Sequence, residues 1–189
     1  MPRRTTPLVA GNIYHLFNRG HNKGNIFFEP ENYLFFLKRL RHHLKPAERV
    51  TILAYCLMPN HYHLLLRPLD DELSKYMQVF SISYTKAINK RYSRVGGMFQ
   101  GSFQAKFIDR DEYLIHISRY IHLNPVHAGI VKYPEEWQYS SYLEHIGLRA
   151  GTLPDPGYIL DYFDNSDDYR VFVDESQETD FEVIKHLTF

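Results

Sequence analysis

The stretch LAYCLMPNHYHLLLR, residues 53–67, decides the fold of this chain, because it contains two apolar runs that are joined by a two-residue turn. Val50–Met58 and His61–Arg67 each have the length and the aliphatic and aromatic content of a strand. Pro59-Asn60 lies between them, and proline and asparagine are typical turn residues. The stretch therefore predicts an antiparallel β-hairpin.

Helical and extended patterns alternate on both sides of this hairpin. Asn12–Asn18 alternates loosely between apolar and polar residues, which indicates a strand. Apolar residues recur at helical spacing in Pro30–Lys45, Leu73–Tyr92 and Asp111–Asn124. The third helix is expected to stop before Pro125, and Met98–Ile108 fits either a hairpin or an extended loop. Strands interleaved with helices predict an α+β domain with a mainly antiparallel sheet.

Charge is divided unevenly along the chain, although 22 Lys and Arg balance 22 Asp and Glu. Residues 161–189 contain nine acidic and two basic side chains, so this segment carries −7 and residues 1–160 carry +7. A solvated acidic tail is the favoured interpretation. The alternative is that the tail competes with a polyanion for a basic surface. A zero net charge therefore does not exclude a nucleic-acid partner.

Composition excludes several classes of protein. The 189 residues are 44% hydrophobic and 15% aromatic, which argues against a disordered chain. The single cysteine, Cys56, excludes an internal disulfide framework and a multi-cysteine zinc site, and it fits a reducing cytosol. No apolar run approaches the roughly 20 residues of a membrane span, and the N-terminal residues lack the apolar stretch of a secretory signal. We therefore expect a cytoplasmic protein with no membrane partner.

His61 and His63 form a His-x-His pair on the second predicted strand. Alternate residues of a strand point to the same face, so both imidazoles can reach one divalent cation. In most His-x-His sequences, however, one histidine packs in the core and the other is solvated. The pair alone leaves both interpretations open.

Tyr120 and Asn124 lie four residues apart on the third predicted helix and therefore share one helical face. A tyrosine hydroxyl can act as a covalent nucleophile, and an amide oxygen suits a hard cation such as Mg²⁺ or Mn²⁺. The alternatives are an ordinary core tyrosine and an ordinary helix terminator before Pro125. Spacing does not decide between them.

Three motifs together carry a resemblance to a known family: LMPNHYHLL at 57–65, MFQG at 98–101 and YIHLNPVHAG at 120–129. They resemble the Y1/HUH transposases, and most of all the REP-associated tyrosine transposases, which are related to the IS200/IS605 transposases. YHLFNRG at 14–20 and WQYSSY at 137–142 are similar to flanking segments of that family. The resemblance covers residues 12–147. We therefore divide the chain into a Y1/HUH domain, 1–147, and a C-terminal extension with the acidic tail, 148–189.

The resemblance implies a ferredoxin-like or RRM-like central antiparallel sheet flanked by helices. It also implies that His61 and His63 are metal ligands, Asn124 is the third ligand and Tyr120 is the nucleophile. The implied activity is cleavage and rejoining of single-stranded DNA near hairpins through a 5′-phosphotyrosine, with Mg²⁺ or Mn²⁺ as cofactor. Two alternatives stay open: a catalytically silent nucleic-acid-binding module, and a metallohydrolase in which water attacks.

Basic and aromatic residues near the second and third helices fit a single-stranded DNA partner, since cations contact phosphates and aromatic rings stack on unpaired bases. The candidate nucleic-acid contacts are Arg19, Lys86, Lys90, Arg91, Arg94, Gln100, Lys106 and Arg119. Two positions depart from the family by lacking a basic side chain, Ser102 and His127. A monomer and a homodimer are both compatible with the sequence.

Overall fold

A computed structural model describes residues 6–45, 49–176 and 178–188. Four strands form one sheet in the order β2-β3-β1-β4, and every neighbouring pair is antiparallel. The strands are β1 (Ile13–Arg19), β2 (Val50–Met58), β3 (His61–Pro68) and β4 (Gln104–Ile108). The helices are α1 (Pro30–Leu44), α2 (Leu73–Arg91), α3 (Asp111–His127), α4 (Tyr142–His145), α5 (Gly157–Leu160), α6 (Ser166–Asp174) and α7 (Glu178–Ile184). The predicted α+β class is confirmed.

The hairpin predicted from the opening stretch is confirmed. β2 pairs with β3 from Met58 opposite His61 to Val50 opposite Pro68, with one irregularity between Ile52 and Ala54. Almost all of β2 is buried, because helices cover both faces of the sheet. A strand that is buried on both sides has a nearly continuous apolar sequence, which is why β2 does not alternate.

Helices α1 and α2 pack on one face of the sheet around an aromatic cluster. Phe36 of α1 lies edge-on to Phe80 and Tyr84 of α2, with ring centroids 4.8 Å and 5.0 Å away. The same ring lies 5.2 Å from Tyr62 of β3, and all four side chains are almost fully buried. Such rings contribute large apolar area together with favourable edge-to-face contacts. This face carries one hydrophobic core, and α3 covers a second core on the opposite face.

Helix α3 does not end before Pro125, as the sequence predicted, but continues to His127. Proline lacks an N–H group, so at this position it removes one hydrogen bond to the Ile121 carbonyl. The bonds that follow restore the last turn, since the N–H of Ala128 donates to Asn124 and the N–H of Ile130 donates to the Pro125 carbonyl. The helix therefore tolerates proline because it lies in the final turn. Residues 98–108 form no hairpin: Gln104–Ile108 is β4, which pairs with β1, and the stretch before it is an extended loop with one isolated bridge between Phe99 and Gly20.

The interpretation of residues 161–189 as a solvated tail is wrong. Tyr169 and Val173 of α6 are fully buried against α3, and Ile184 and Leu187 are buried further along. The Tyr169 hydroxyl lies 2.6 Å from His122 Nδ1 and 3.1 Å from Ser118 Oγ. Tyr169 and Val173, spaced four apart, give α6 one buried face, and its acidic residues Asp167, Asp168 and Asp174 are exposed.

No helix in the described part of the chain has the length and apolar character needed to cross a membrane.

His145 makes the stability of this C-terminal packing depend on pH. It is fully buried, and burial lowers its pKa from 6.5 to about 4. A lowered pKa in the folded state means that protons favour the unfolded chain, so stability is lost as pH falls from 6.5 towards 4. We expect the wild type to lose about 1.4 kcal/mol more per pH unit than His145→Asn over this window. Urea unfolding at pH 7.5, 6 and 5 measures this difference, and equal slopes for the two proteins would contradict it.

Candidate active site

The two histidines of β3 lie on the sheet face that α3 covers. Residues directly opposite each other in antiparallel strands share a face, and β1 places Arg19 opposite His61 and Phe17 opposite His63. The ring centroids of the two histidines are 4.9 Å apart, and the rings are nearly perpendicular. His63 is fully buried, and His61 is partly exposed at the end of the strand. The predicted shared face is confirmed.

Helix α3 brings Tyr120 and Asn124 to this histidine pair. The Tyr120 ring lies edge-on to His63, with centroids 5.6 Å apart. Asn124 Nδ2 donates to the Tyr120 carbonyl oxygen at 3.2 Å, and the Asn124 side chain also hydrogen-bonds to His61. The four residues singled out in the sequence therefore meet in one place, although their chemical roles stay predictions.

Both histidines are neutral at physiological pH. Burial lowers the pKa of His61 to about 4, an effect that the Asn124 hydrogen bond opposes and the charge of Arg19 reinforces. Burial also lowers the pKa of His63 far below 6.5, with smaller contributions from His15 and His61. Neutral imidazole is the form that binds a metal ion.

The side chains at the site are of types that suit a divalent cation. In the described residues, no three His, Cys, Asp or Glu side chains converge on a metal position. Asn124, the third ligand that the family resemblance implies, hydrogen-bonds to His61, so its amide lies beside the pair. Two imidazoles and one amide oxygen leave coordination positions for phosphate oxygen and water.

His15 and Asn60 also contact the pair, and no sequence pattern pointed to either. His15 Nε2 lies 2.9 Å from His63 Nδ1, and Asn60 Oδ1 lies 2.6 Å from His61 Nδ1. Strand alternation puts His15 on the same face of β1 as Arg19, so the sequence could have marked His15 as a residue of the site face. It becomes informative only when the pairing of β1 with β3 is known.

Three of the predicted nucleic-acid contacts lie on the site face or at its edge. The Arg19 guanidinium hydrogen-bonds to the Gln100 side chain, and the Gln100 N–H donates to the Arg19 carbonyl at 2.9 Å. Lys106 lies opposite His15 across the β1–β4 pairing. Arg19 of β1 and Lys106 of β4 thus both place positive charge on the β1–β4 side of the histidine pair.

Four further candidates, Lys86, Lys90, Arg91 and Arg94, are exposed on α2 and the loop after it. Arg94 stacks over Phe28, with its guanidinium carbon 5.1 Å from the ring centroid, and Arg91 forms an ion pair with Glu29. The segment before Phe28 is joined to the site, because the N–H groups of residues 26 and 27 donate to the Pro59 carbonyl. Arg91 and Arg94 therefore lie together beside residues 28 and 29, at the C-terminal end of α2.

The structure contradicts the prediction that Arg119 contacts nucleic acid. Its side chain is 5% exposed, lies 4.0 Å from the Phe172 ring and donates to the Phe172 carbonyl at 2.9 Å. Arg119 therefore fastens α6 to α3. The sequence could not show this, since helical spacing does not say which faces of α3 later helices cover.

A groove of about 1230 Å³ runs beside the tyrosine, between α3 and the C-terminal helices. Tyr120 and Asn124 line one side, and Asp174 and Glu182 line the other. Phe181 of α7 lies over Tyr120, with ring centroids 5.8 Å apart. The alternative interpretation of the acidic segment, competition with a polyanion, stays a prediction.

A four-stranded antiparallel sheet that carries a histidine pair beneath a tyrosine-bearing helix defines an α+β protein of the Y1 transposase type. The family model described as "Transposase IS200 like" matches residues 9–124, more than half of the chain, and the chain belongs to this family. The resemblance inferred from the motifs is therefore confirmed.

Two proteins illustrate the relationship. A putative REP-associated tyrosine transposase from Haemophilus influenzae is 29% identical over 121 residues, which cover 58% of this chain and 66% of that protein, slightly under two thirds of its length. The solved structure of a REP-associated tyrosine transposase bound to a REP hairpin is similar in fold, with a TM-score of 0.65 and 19% identity. That likeness covers 82% of this chain and 94% of the other chain.

Proposed function

We propose that this protein is a metal-dependent transposase or endonuclease that cleaves and rejoins single-stranded DNA near hairpins through a 5′-phosphotyrosine. The observation that carries the proposal is the packing of Tyr120 against His63, with Asn124 bridging the helix and the histidine pair. Membership of the IS200-like family supports the reaction class. The likeness to a hairpin-bound structure supports a stem-loop DNA as the partner.

The Tyr120 hydroxyl oxygen attacks the scissile phosphorus. A bond forms between that oxygen and phosphorus while the bond from phosphorus to the 3′ oxygen breaks. Tyr120 loses its proton and the departing 3′ oxygen gains one, so protons balance. The downstream strand stays on the enzyme through its 5′ phosphate. Because one phosphodiester replaces another, a 3′-OH can reverse the step and join strands without ATP.

His61, His63 and Asn124 are the residues that would hold a cation beside Tyr120. A bound Mg²⁺ or Mn²⁺ supplies Lewis-acid polarisation of a phosphate oxygen. The protein itself keeps both imidazoles neutral through burial, and it holds Asn124 and Tyr120 one helical turn apart. Nucleophile and ligands are thus positioned before DNA arrives, which lowers the entropic cost of reaching the reactive geometry.

The DNA backbone is proposed to lie along the cations at the C-terminal end of α2. Phe28 is 39% exposed and lies under the Arg94 guanidinium, so an aromatic ring that can contact an unpaired base lies among these cations. Lys90 and Arg91 are exposed on the last turn of α2. This surface leads to the Pro59 turn directly before the histidine pair.

Replacing two of these cations should change the salt dependence of binding. Log affinity falls as log salt rises, with a slope of about −0.7 for each phosphate contact to a single strand. We therefore expect the double variant Lys90→Gln/Arg94→Gln to have a shallower slope, smaller in magnitude by about 1.4. Lys75→Gln is the matched control, because Lys75 lies at the other end of α2 and pairs with Glu72. Fluorescence anisotropy of a labelled stem-loop from 50 to 300 mM salt gives the slopes. An unchanged slope in the double variant would place the DNA elsewhere.

The proposed function is tested by a panel of single-stranded oligonucleotides, each with a palindromic stem-loop and unpaired flanks. We expect a protein–DNA adduct that survives SDS and forms with Mn²⁺ or Mg²⁺ but not with EDTA. Binding without an adduct across the whole panel would favour the silent binding module.

A further inference from the structure

His15 is a third histidine behind the proposed metal site. It lies on β1, is fully buried, and is nearly coplanar with the His63 ring, with ring centroids 5.1 Å apart and planes at 20°. One ring nitrogen, Nε2, faces His63 Nδ1 at 2.9 Å, and the other, Nδ1, faces the Leu187 carbonyl oxygen at 2.8 Å. His15 therefore joins a proposed metal ligand to the C-terminal turn, Lys185–Leu187.

The acceptor at the end of this chain fixes where the protons lie. A carbonyl oxygen only accepts, so His15 Nδ1 must carry a proton and donate it to Leu187. The ring is completely buried, and burial disfavours the charged form that a second proton would create. Nε2 of His15 is then an acceptor, and the hydrogen bond to His63 requires His63 to donate from its Nδ1.

We propose that His15 is a positioning residue that holds His63 in the Nδ1–H tautomer, so that the His63 Nε2 lone pair faces the cation, and that the Leu187 carbonyl anchors His15 in this role. The proposal rests on the proposed function in that His63 is taken as a metal ligand. A partner behind a ligating histidine fixes both the tautomer and the ring orientation, and its loss commonly costs 10- to 100-fold in metal affinity.

The C-terminal turn gains a role from this arrangement. Leu187 lies outside the residues matched by the family model, 9–124, and its side chain is buried beside the sheet. The turn contacts β4, the strand next to β1. A residue far from the histidine motif in sequence, Leu187, thus contacts the site through its main-chain oxygen, which accepts from His15.

The tautomers can be read directly in the metal-free protein. Long-range ¹H–¹⁵N correlation spectra at pH 7.5, with His63→Ala and His15→Phe samples for assignment, report which nitrogen of each ring is protonated. We expect Nδ1–H on both His15 and His63. An Nε2–H tautomer at His63 would overturn the proposal, whether or not the protein binds metal.

Metal affinity gives the second readout, with Mn²⁺ alone as the probe and electron paramagnetic resonance as the measurement. His15→Phe keeps a ring but removes both hydrogen bonds, and we expect about 10-fold or greater loss of Mn²⁺ affinity. His15→Gln keeps an acceptor near the position of Nε2, and we expect a smaller loss. His145→Asn, a change at a buried histidine away from the site, should leave Mn²⁺ affinity unchanged.

The outcomes separate this inference from the proposed function. If the wild type binds Mn²⁺ no more tightly than His61→Ala, the proposed metal site fails, while the tautomer spectra still test the hydrogen-bonded chain. If His61→Ala loses Mn²⁺ but folded His15→Phe binds it like the wild type, the positioning role is wrong and the metal site stands. If His15→Phe does not fold, the Mn²⁺ affinity of His15→Gln and the tautomer spectra of the wild type test the positioning role instead.

Discussion

Tyr120→Phe is expected to abolish the covalent adduct and to lower strand cleavage by about 10⁴-fold or more, since loss of a covalent nucleophile removes the main reaction path. The change removes one hydroxyl and keeps the ring that packs against His63 and Phe181. We therefore expect the fold and the DNA affinity to stay close to those of the wild type. Denaturing gels of a stem-loop oligonucleotide with Mn²⁺ measure adduct and cleavage together.

Tyr113→Phe is the matched control for this experiment. Tyr113 lies on the same helix two turns earlier, and its ring faces His186 at 5.3 Å between centroids. Loss of one hydroxyl there should leave cleavage unchanged. Cleavage that survives in Tyr120→Phe at a rate near that of the wild type would show that water is the nucleophile.

His61→Ala is expected to lower metal-dependent cleavage by about 10³-fold, because polarisation of a phosphate oxygen is worth several kcal/mol in the transition state. The same variant should lose Mn²⁺ binding. His61 is partly exposed at the start of β3, so its removal disturbs packing less than His63→Ala, which also removes one of the two hydrogen-bond partners of His15. Single-turnover cleavage over a series of Mn²⁺ concentrations measures the effect.

His42→Ala serves as the control for the removal of a histidine. His42 is exposed on α1, on the opposite side of the sheet from α3, and it should leave both cleavage and Mn²⁺ binding unchanged. Full cleavage by His61→Ala, or wild-type cleavage in EDTA, would contradict the assignment of the histidine pair as ligands.

Local patterns were sufficient for the parts of the site that lie on one element. Strand alternation placed His61 and His63 on one face, and helical spacing placed Tyr120 beside Asn124. The β2–β3 hairpin was predictable for the same reason, since its strands and turn are contiguous in sequence. What brings the two pairs together, the packing of α3 across β3, was implied only by the family resemblance.

Features that depend on contacts between distant segments were not predictable. His15 reaches His63 because β1 pairs with β3, and it reaches Leu187 because the C-terminal turn folds back onto the sheet. The burial of Arg119 beneath α6 follows from the same folding back of the chain. Residues 161–189 were interpreted as a solvated tail because of their net negative charge. The four-residue spacing of Tyr169 and Val173, which buries one face of α6, was not used.

Mapping the attachment site of the adduct tests the central claim most directly. The wild-type protein is trapped on a stem-loop oligonucleotide with SDS, digested with trypsin and nuclease, and analysed by mass spectrometry. We predict a nucleotide 5′-phosphate on Tyr120 in the tryptic peptide 120–132, together with an upstream DNA fragment that ends in a 3′-OH. A nucleotide on another residue, or cleaved DNA with a free 5′-phosphate and no adduct at any time, would contradict the account.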